Sequence, residues 1–234
     1  MMITIIIPCF NEENTLETIV DKILDQREFK KKIIIVDDNS SDRSISIIKK
    51  IYKEKKVDQV IFHEKNLGKG ACIKSAQNFV EGDYVIIQDA DLEYDPSDYK
   101  FLIKKIKDKN FKVVYGSRVL KSENNQKIQN FSHKIRIYGN YYLTKISNIL
   151  NKQKLTDAHT CYKMFETNLF RKIKLSENDF SFCPEITTKI SLLNIPIGEA
   201  PINYNGRTYD EGKKIKAIDG LKAILTIIKY RYFK

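Results

Sequence analysis

Nothing in this sequence reads as a membrane-spanning segment or a secretory leader. No apolar stretch approaches the ~20 residues of a transmembrane helix. Met1 to Phe10 has no basic region and meets Pro8 and Asn11 almost at once, so no signal peptide is expected. Cysteine is scarce. The four, Cys9, Cys72, Cys161 and Cys183, are widely spaced with no Cys-x-x-Cys pair. That argues against zinc and a disulfide framework, and for small buried or wall thiols in a reducing cytoplasm. His63, His133 and His159 are too scattered for a metal site. Internal repeats and low-complexity tracts are missing too. Acidic charge is in deficit: 41 Lys and Arg stand against 30 Asp and Glu, a net +11. Such an excess implies an anionic partner, whether nucleic acid, a membrane surface or a phosphorylated substrate.

What is present suffices for one large α/β domain, since 42% of the 234 residues are hydrophobic and 30% charged. Ile3 to Ile7 is a β-branched run stopped by Pro8. Asn14 or Thr15 can cap a helix with Leu16, Ile19, Val20, Ile23 and Leu24 on its apolar face. Ile33 to Val36 predicts a second strand ending in Asp37-Asp38-Asn39-Ser40-Ser41-Asp42, where Asp42 or Ser41 can cap the next helix. That helix carries Ile45, Ile48, Ile51 and Tyr52 on one face. Gln59 to Phe62 predicts a third strand, and Leu67-Gly68-Lys69-Gly70 leads into a helix through Val80. Asp95-Pro96 suits a helix start, with Tyr99, Leu102, Ile103 and Ile106 inward. Lys112 to Tyr115 predicts a strand ended by Gly116-Ser117-Arg118. Lys121 to Gln129 reads as a mobile loop. Helices are predicted over about Ile135 to Leu150 and Ile215 to Phe233, with irregular or strand segments between. Strands alternating with amphipathic helices predict a mainly parallel, doubly wound sheet with helices on both faces. Its ligand cleft opens at the carboxyl ends of the strands.

One stretch organises the rest. Val85 to Ile87 predicts a buried strand that runs into Asp89, Asp91 and Glu93 at alternate positions. An extended Asp-x-Asp directs both side chains to one side. Two hard oxygen ligands there can hold Mg²⁺ or Mn²⁺ against a phosphate. The pattern also occurs in turns and caps.

Several motifs occur together in one order: Pro8-Cys9-Phe10-Asn11-Glu12, Val36-Asp37-Asp38-Asn39-Ser40, Asn66-Leu67-Gly68-Lys69-Gly70, Asp89-Ala90-Asp91 and Gly116-Ser117-Arg118. The set resembles the inverting family-two glycosyltransferases of the GT-A fold. Asp157 to Phe165, Glu185, and Gly206 to Ile215 look like the branch of dolichyl-phosphate mannosyltransferases and bacterial polyprenyl-phosphate relatives. The resemblance runs from Ile3 to about Leu225. It implies one glycosyltransferase domain over residues 1–214, with a nucleotide-sugar half over 1–120 and an acceptor half over 121–214, followed by a helix over 215–234. It implies transfer of mannose or glucose from GDP-mannose or a UDP-sugar to a polyprenyl phosphate. Cys9 and Phe10 replace the usual Ala or Ser and Tyr without removing a charged group. His159-Thr160-Cys161 replaces a small pair and leaves the acceptor pocket's shape open.

By resemblance, Pro8, Phe10, Glu12, Asp37 or Asp38, Gly68 and Lys69 line the base and ribose, with Asp89 and Ala90 beside the nucleotide. Chemistry agrees, since carboxylates accept from base N–H and ribose hydroxyls and glycines permit close backbone approach. Asp91 is the first metal ligand expected, Asp89 the second and Glu93 a third. A hydroxyl acceptor needs a general base, whereas a phosphate monoester, with its second pKa near ~6, is already mostly deprotonated at neutral pH. Cationic clamps then matter more, and Arg118, Arg136, Arg207, Lys213 and Lys214 are the candidates. Asp157 orients the acceptor or a clamp, or is the base if the acceptor is a hydroxyl. Glu185 contacts the sugar or caps the helix after Pro184. The aromatics from Phe131 to Tyr142 have helical spacing that suits a core; Tyr138, Tyr141 and Tyr142 beside Arg136 can alternatively flank a prenyl groove.

The last helix carries Lys216, Asp219, Lys222, Thr226 and Lys229 on one face and Ile215, Ile218, Leu221, Leu225, Ile228 and Tyr232 on the other. It packs on the body, or lies on an anionic membrane at the cytoplasmic face with lysines toward headgroups. A membrane-embedded partner can replace the lipid. A nucleic-acid-binding module is a distant alternative and nucleic acid is not the expected partner, because Asp89 and Asp91 would repel phosphate unless a metal intervened.

Overall fold

Strand β1 (Met2–Cys9) forms the middle of a seven-stranded sheet. The structure, a computed structural model, describes residues 1–120, 131–207 and 217–233. After β1 come α1 (Leu16–Leu24), β2 (Lys30–Asp37), α2 (Ser44–Lys53), β3 (Gln59–Phe62), α3 (Lys69–Gln77) and β4 (Tyr84–Ile87). A 3-10 turn (Pro96–Asp98) then leads into α4 (Tyr99–Lys109), followed by β5 (Val113–Ser117) and α5 (Phe131–Asn151). The chain closes with β6 (Lys163–Glu166), α6 (Thr167–Lys172), α7 (Phe182–Leu192), β7 (Ile197–Pro201) and α8 (Ala217–Tyr232).

The strand order is β3-β2-β1-β4-β6-β5-β7. β1 pairs in parallel with β2, Ile6 opposite Ile34, and with β4, Ile6 opposite Ile87. Among the described residues β6 alone runs against the others, with Phe165 opposite both Val85 of β4 and Val113 of β5. The mainly parallel sheet is therefore as the alternation predicts. The reversed strand is not, because β6 is four residues long and its Lys163 carries no strand signal. Alternation along β1 divides the core. Ile3, Ile5 and Ile7 pack with α1, α2 and α4 on one face, and Ile6 packs with α3 and α7 on the other. A sheet covered on both faces needs β-branched residues at every position, which is what β1 and β2 supply.

Several local expectations shift. Thr15 sits at the α1 N-cap, but its hydroxyl turns back to Glu12 Oε2 (3.1 Å) and makes no cap bond. Asp42 takes the first backbone N–H of α2, from Ser44, at 2.9 Å. Tyr52 is exposed, so the inward face of α2 is Ser44, Ile48 and Ile51. Asp95 caps the 3-10 turn through Ser97 N–H, and Tyr99, Leu102, Ile103 and Ile106 are buried as predicted. The loop expected over Lys121 to Gln129 lies outside the described residues.

Helix α8 packs on α5 and α7 in the opposite sense to its sequence pattern. Ala223, Thr226, Ile227 and Tyr230 are buried, while Leu221 (58%), Leu225 (58%), Tyr232 (64%) and Phe233 (78%) face outward. Lys222 and Lys229 turn toward the body, pairing with Asp179 at 3.3 Å and Glu177 at 2.6 Å. The inward face is therefore Ala223, Thr226, Ile227 and Tyr230, with the exposed lysines at its margin and Leu221 and Leu225 outside. Tyr141 and Tyr142 on α5 are exposed, which removes them from the core.

Candidate active site

The carboxyl ends of β1, β2, β4 and β5 open onto one cavity of about 340 Å³. Side chains stranded where a parallel sheet stops have no ladder partner on one side, so they face whatever fills the cleft. Pro8, Phe10 and Glu12 reach it from β1, Asp38 from β2, Gly68 and Lys69 from the start of α3, Asp89, Ala90, Asp91 and Glu93 from β4, Arg118 from β5 and Arg207 from beyond β7.

At the β2 end, Asp38 is the member of the Asp37-Asp38 pair in the cavity wall. Its Oδ1 accepts from Leu67 N–H (2.9 Å) and its Oδ2 from Gly68 N–H (2.7 Å). His63 Nδ1 lies 2.7 Å from Asp38 Oδ1, and Nε2 lies 2.8 Å from Ser75 Oγ. Asp38, His63 and Cys72 bring ligand-type atoms within 4.8 Å of one another. These hydrogen bonds already engage both Asp38 oxygens and both ring nitrogens, so the cluster is a bracing network for the 66–68 turn. Asp37 lies beneath, bonded to Ser40 N–H with Oδ1 buried and unpartnered. Gly68 has φ +97°, and a Cβ there would meet Asn178 O at 2.6 Å; at Gly70 it would meet Glu177 O at 2.5 Å. The close approach these glycines permit is thus to the 177–178 backbone.

The four carboxylates differ in their partners. Lys69 Nζ pairs with Asp89. Burial pushes the Asp89 carboxyl up, but the Lys69 ammonium outweighs it, helped by Cys161 and Arg207, and holds the group below its usual value. Asp91 has the contrary balance. Burial, then the Asp89 and Glu93 charges, push it up to about 7 against the pull of Arg207. Arg207 spans the remaining three: Nη1 to Glu12 Oε2 at 3.0 Å, Nη2 to Asp91 Oδ2 at 2.7 Å and the backbone N–H to Glu93 Oε1 at 2.7 Å. Tyr204 hydroxyl donates to Glu93 Oε2 at 2.9 Å. Glu12 and Asp91 thus share the Arg207 guanidinium while Glu93 takes its backbone N–H, and all three offer the hard oxygen atoms a divalent ion takes as ligands.

At the far end, Asp157 is fully buried and does not touch the cavity itself. It grips Arg118 through Nε (2.6 Å), Nη2 (2.8 Å) and the backbone N–H (3.2 Å), and accepts from Asn140 at 3.1 Å. Burial opposes its ionisation, but the Arg118 charge and hydrogen bonds prevail and bring the carboxyl down to about 2. Glu199 of β7 anchors this loop, accepting from Thr156 N–H (2.8 Å) and Asp157 N–H (3.0 Å). The Arg118 guanidinium stacks 5.0 Å over the Tyr204 ring.

Not every predicted residue is brought in. Glu185 is wholly buried away from the cavity, accepting from Ser176 and Glu177 N–H and from Lys189. It braces the 176–177 loop, neither lining the cavity nor capping its own helix. Arg136 lies on α5 with its side chain outside the described residues, and Lys213 and Lys214 lie outside them altogether. Sequence reasoning missed Tyr94, Phe180 and Tyr204 in the cavity wall. It also missed Glu199. His159 and Cys161 sit in a motif that was read, between Asp157 and Phe165. Tyr204 and Glu199 carry no motif that could flag them. Cys9, Cys72 and Cys161 are wall residues, as the scarcity of cysteine suggested.

Comparisons place this geometry. A family model described as Glycosyl transferase family 2 matches residues 4–174. Dolichyl-phosphate beta-glucosyltransferase ALG5A of Trichomonas vaginalis is 27% identical over 245 residues, spanning 99% of this chain and 73% of that protein. The dodecaprenyl-phosphate galacturonate synthase of Rhizobium johnstonii is 21% identical over 239 residues, spanning 98% and 68%. Among solved structures, glucosyl-3-phosphoglycerate synthase of Mycobacterium tuberculosis, in complex with Mn²⁺, UDP and phosphoglyceric acid, superposes with a TM-score of 0.68 at 15% identity. That match spans all of this chain and 79% of that one, and the likeness is one of fold.

Proposed function

The chain belongs to glycosyl transferase family 2, and from that premise we propose that it moves a sugar from a nucleotide-sugar donor onto the phosphate of a polyprenyl phosphate at a membrane surface. An acceptor phosphate oxygen attacks the anomeric carbon as the bond to the diphosphate breaks, and the nucleoside diphosphate leaves. One such displacement inverts the anomeric centre. Asp38 and Gly68 bound the base and ribose end, with Pro8, Phe10 and Glu12 opposite. Asp91, with Glu93 and Glu12, is the donor set for Mg²⁺ or Mn²⁺, an ion that would neutralise charge on the departing diphosphate. Glucosyl-3-phosphoglycerate synthase binds UDP with either ion in this fold. The sugars in the relatives' names are glucose and galacturonate rather than mannose, which favours a glucose-type donor.

The observation that carries the acceptor is the state of Asp157. A base for a hydroxyl needs a pKa near the operating pH and reach to the proton. Asp157 is buried, bonded four ways and held at about 2. It suits a positioning residue for Arg118, whose guanidinium meets an anion. A phosphate acceptor needs that cation and no base, so the hydroxyl-acceptor reading loses its essential residue.

Attachment to the membrane draws on α8. No helix among the described residues is long and apolar enough to cross a bilayer. Leu221, Leu225, Tyr232 and Phe233 form an outward apolar edge of the kind that enters an interface.

Asp157→Asn tests the base question. Turnover with polyprenyl phosphate is expected to fall about tenfold to a hundredfold through misplacement of Arg118, with the pH–rate profile keeping its shape. Complete loss of turnover, or disappearance of an acidic limb, would instead make Asp157 the base.

A further inference from the structure

The cation that Asp91 holds in this structure is Arg207, and its hold is incomplete. Nη2 bonds Asp91 Oδ2 at 2.7 Å and Glu12 Oε1 at 3.2 Å, and Nη1 bonds Glu12 Oε2 at 3.0 Å. Among the described residues Nε is buried with no hydrogen-bond partner, 3.8 Å from Glu93 Oε1. A buried N–H left unpaired is a cost that a permanent contact would be expected to remove. Three carboxylates face one guanidinium, while Asp89 is neutralised separately by Lys69. Among the described residues one guanidinium thus serves carboxylates that a divalent ion would bind more strongly.

We propose that Arg207 keeps the divalent cation's place in the nucleotide-free enzyme and is displaced when the metal arrives, so that metal loading releases Arg207 for the acceptor phosphate. This rests on the metal-dependent transfer reading above. A guanidinium on Asp91 Oδ2 weakens that oxygen as a ligand, and two positive charges on the same carboxylates repel, so the divalent ion competes with Arg207 for them. The backbone around the arm stays anchored: Asn203 N–H bonds Asp98 at 2.6 Å, Asn205 N–H bonds Glu93 O at 2.9 Å and Arg207 N–H bonds Glu93 Oε1. The side chain is therefore the part that moves. Arg207 lines the same cavity as Arg118, so a guanidinium expelled from the carboxylates stays within reach of an incoming anion. Arg118 is not a candidate for this role, because Asp157 fixes it through two nitrogens. Acceptor binding then follows donor and metal, which keeps the acceptor phosphate from binding an enzyme that has nothing to transfer.

The test is Mn²⁺ binding by calorimetry to the nucleotide-free full chain, apart from any activity. Removing a competing ion pair of this kind is worth on the order of tenfold in a binding constant. Arg207→Gln is expected to bind Mn²⁺ about tenfold more tightly than wild type while transferring sugar more slowly, and Arg207→Lys, which keeps the charge, to stay near wild-type affinity. Arg207→Gln binding Mn²⁺ equally or more weakly would overturn the proposal. Asp91→Asn is the control for the reading beneath it. If Asp91→Asn leaves Mn²⁺ affinity intact, the metal site itself is misplaced, and the two failures are told apart. Circular dichroism of each variant confirms that the comparison is between folded proteins.

Discussion

Asp157 and His159, two positions apart in one loop, are moved in the same direction by opposing causes. At Asp157 burial is outweighed by Arg118, so the charged form is favoured and the carboxyl sits at about 2. At His159 burial comes first and the Lys163 and Arg118 charges add to it, so the neutral form is favoured and the ring falls to about 4. Its Nε2 is buried without a partner although the residue reaches the cavity wall. The signs give separate windows. Asp157 contributes stability above its ordinary value near 4 that is lost only as the pH falls toward 2. His159, lowered in the fold, is protonated in the unfolded chain first, so stability is lost as the pH falls from about 6.5 toward 4. Between pH 7 and pH 5 that loss is expected to be about 2 kcal/mol. Denaturant unfolding of wild type and His159→Gln at pH 7, 6 and 5 checks it: the gap between the two curves should close with falling pH, and parallel curves would refute it. At this scale the sequence was legible where a residue type had one use. Asp91 and Arg118 line the cavity because residues just past the end of a strand face the cleft. Glu185 was misread because a buried carboxylate can equally well collect backbone N–H groups, and nothing in Phe182-Cys183-Pro184-Glu185 tells which.

Elements were predicted best where the periodicity was strong. Strands β1 to β4 and helices α1, α2 and α4 fall where the patterns put them, within a residue or a few at their ends. Strand β6 escaped because four residues between β4 and β5 carry no period and their direction is set by the sheet they join. Helix α8 is the instructive case. The face it turns inward is Ala223, Thr226, Ile227 and Tyr230, a choice made by packing against α5 and α7 that the helix's own pattern does not carry. An apolar edge facing water has a use if a lipid interface covers it. Leu221→Asp with Leu225→Asp should change unfolding free energy by no more than about 0.5 kcal/mol, since both side chains are exposed. The same pair should abolish flotation with vesicles containing anionic lipid. Flotation equal to wild type would place membrane attachment elsewhere.

For the whole molecule, the GT-A sheet explains why motifs scattered from Pro8 to Arg207 meet. Parallel strands all end on one side, so each contributes its last residues to the same cleft, and the order β3-β2-β1-β4-β6-β5-β7 lays them out from Asp38 at one end to Arg118 at the other. The ends of that line differ in charge. Carboxylates gather in the middle with Arg207 among them, the place proposed for a metal and diphosphate, and Arg118 lies at the end proposed for the acceptor. This polarity is the central claim: the enzyme's acceptor is itself a phosphate. It is tested most directly by supplying a radiolabelled nucleotide sugar, Mn²⁺ and either polyprenyl phosphate or the matching polyprenol, and counting label in the lipid phase. The account requires label with the phosphate and none with the alcohol; equal or greater transfer to the alcohol would contradict it.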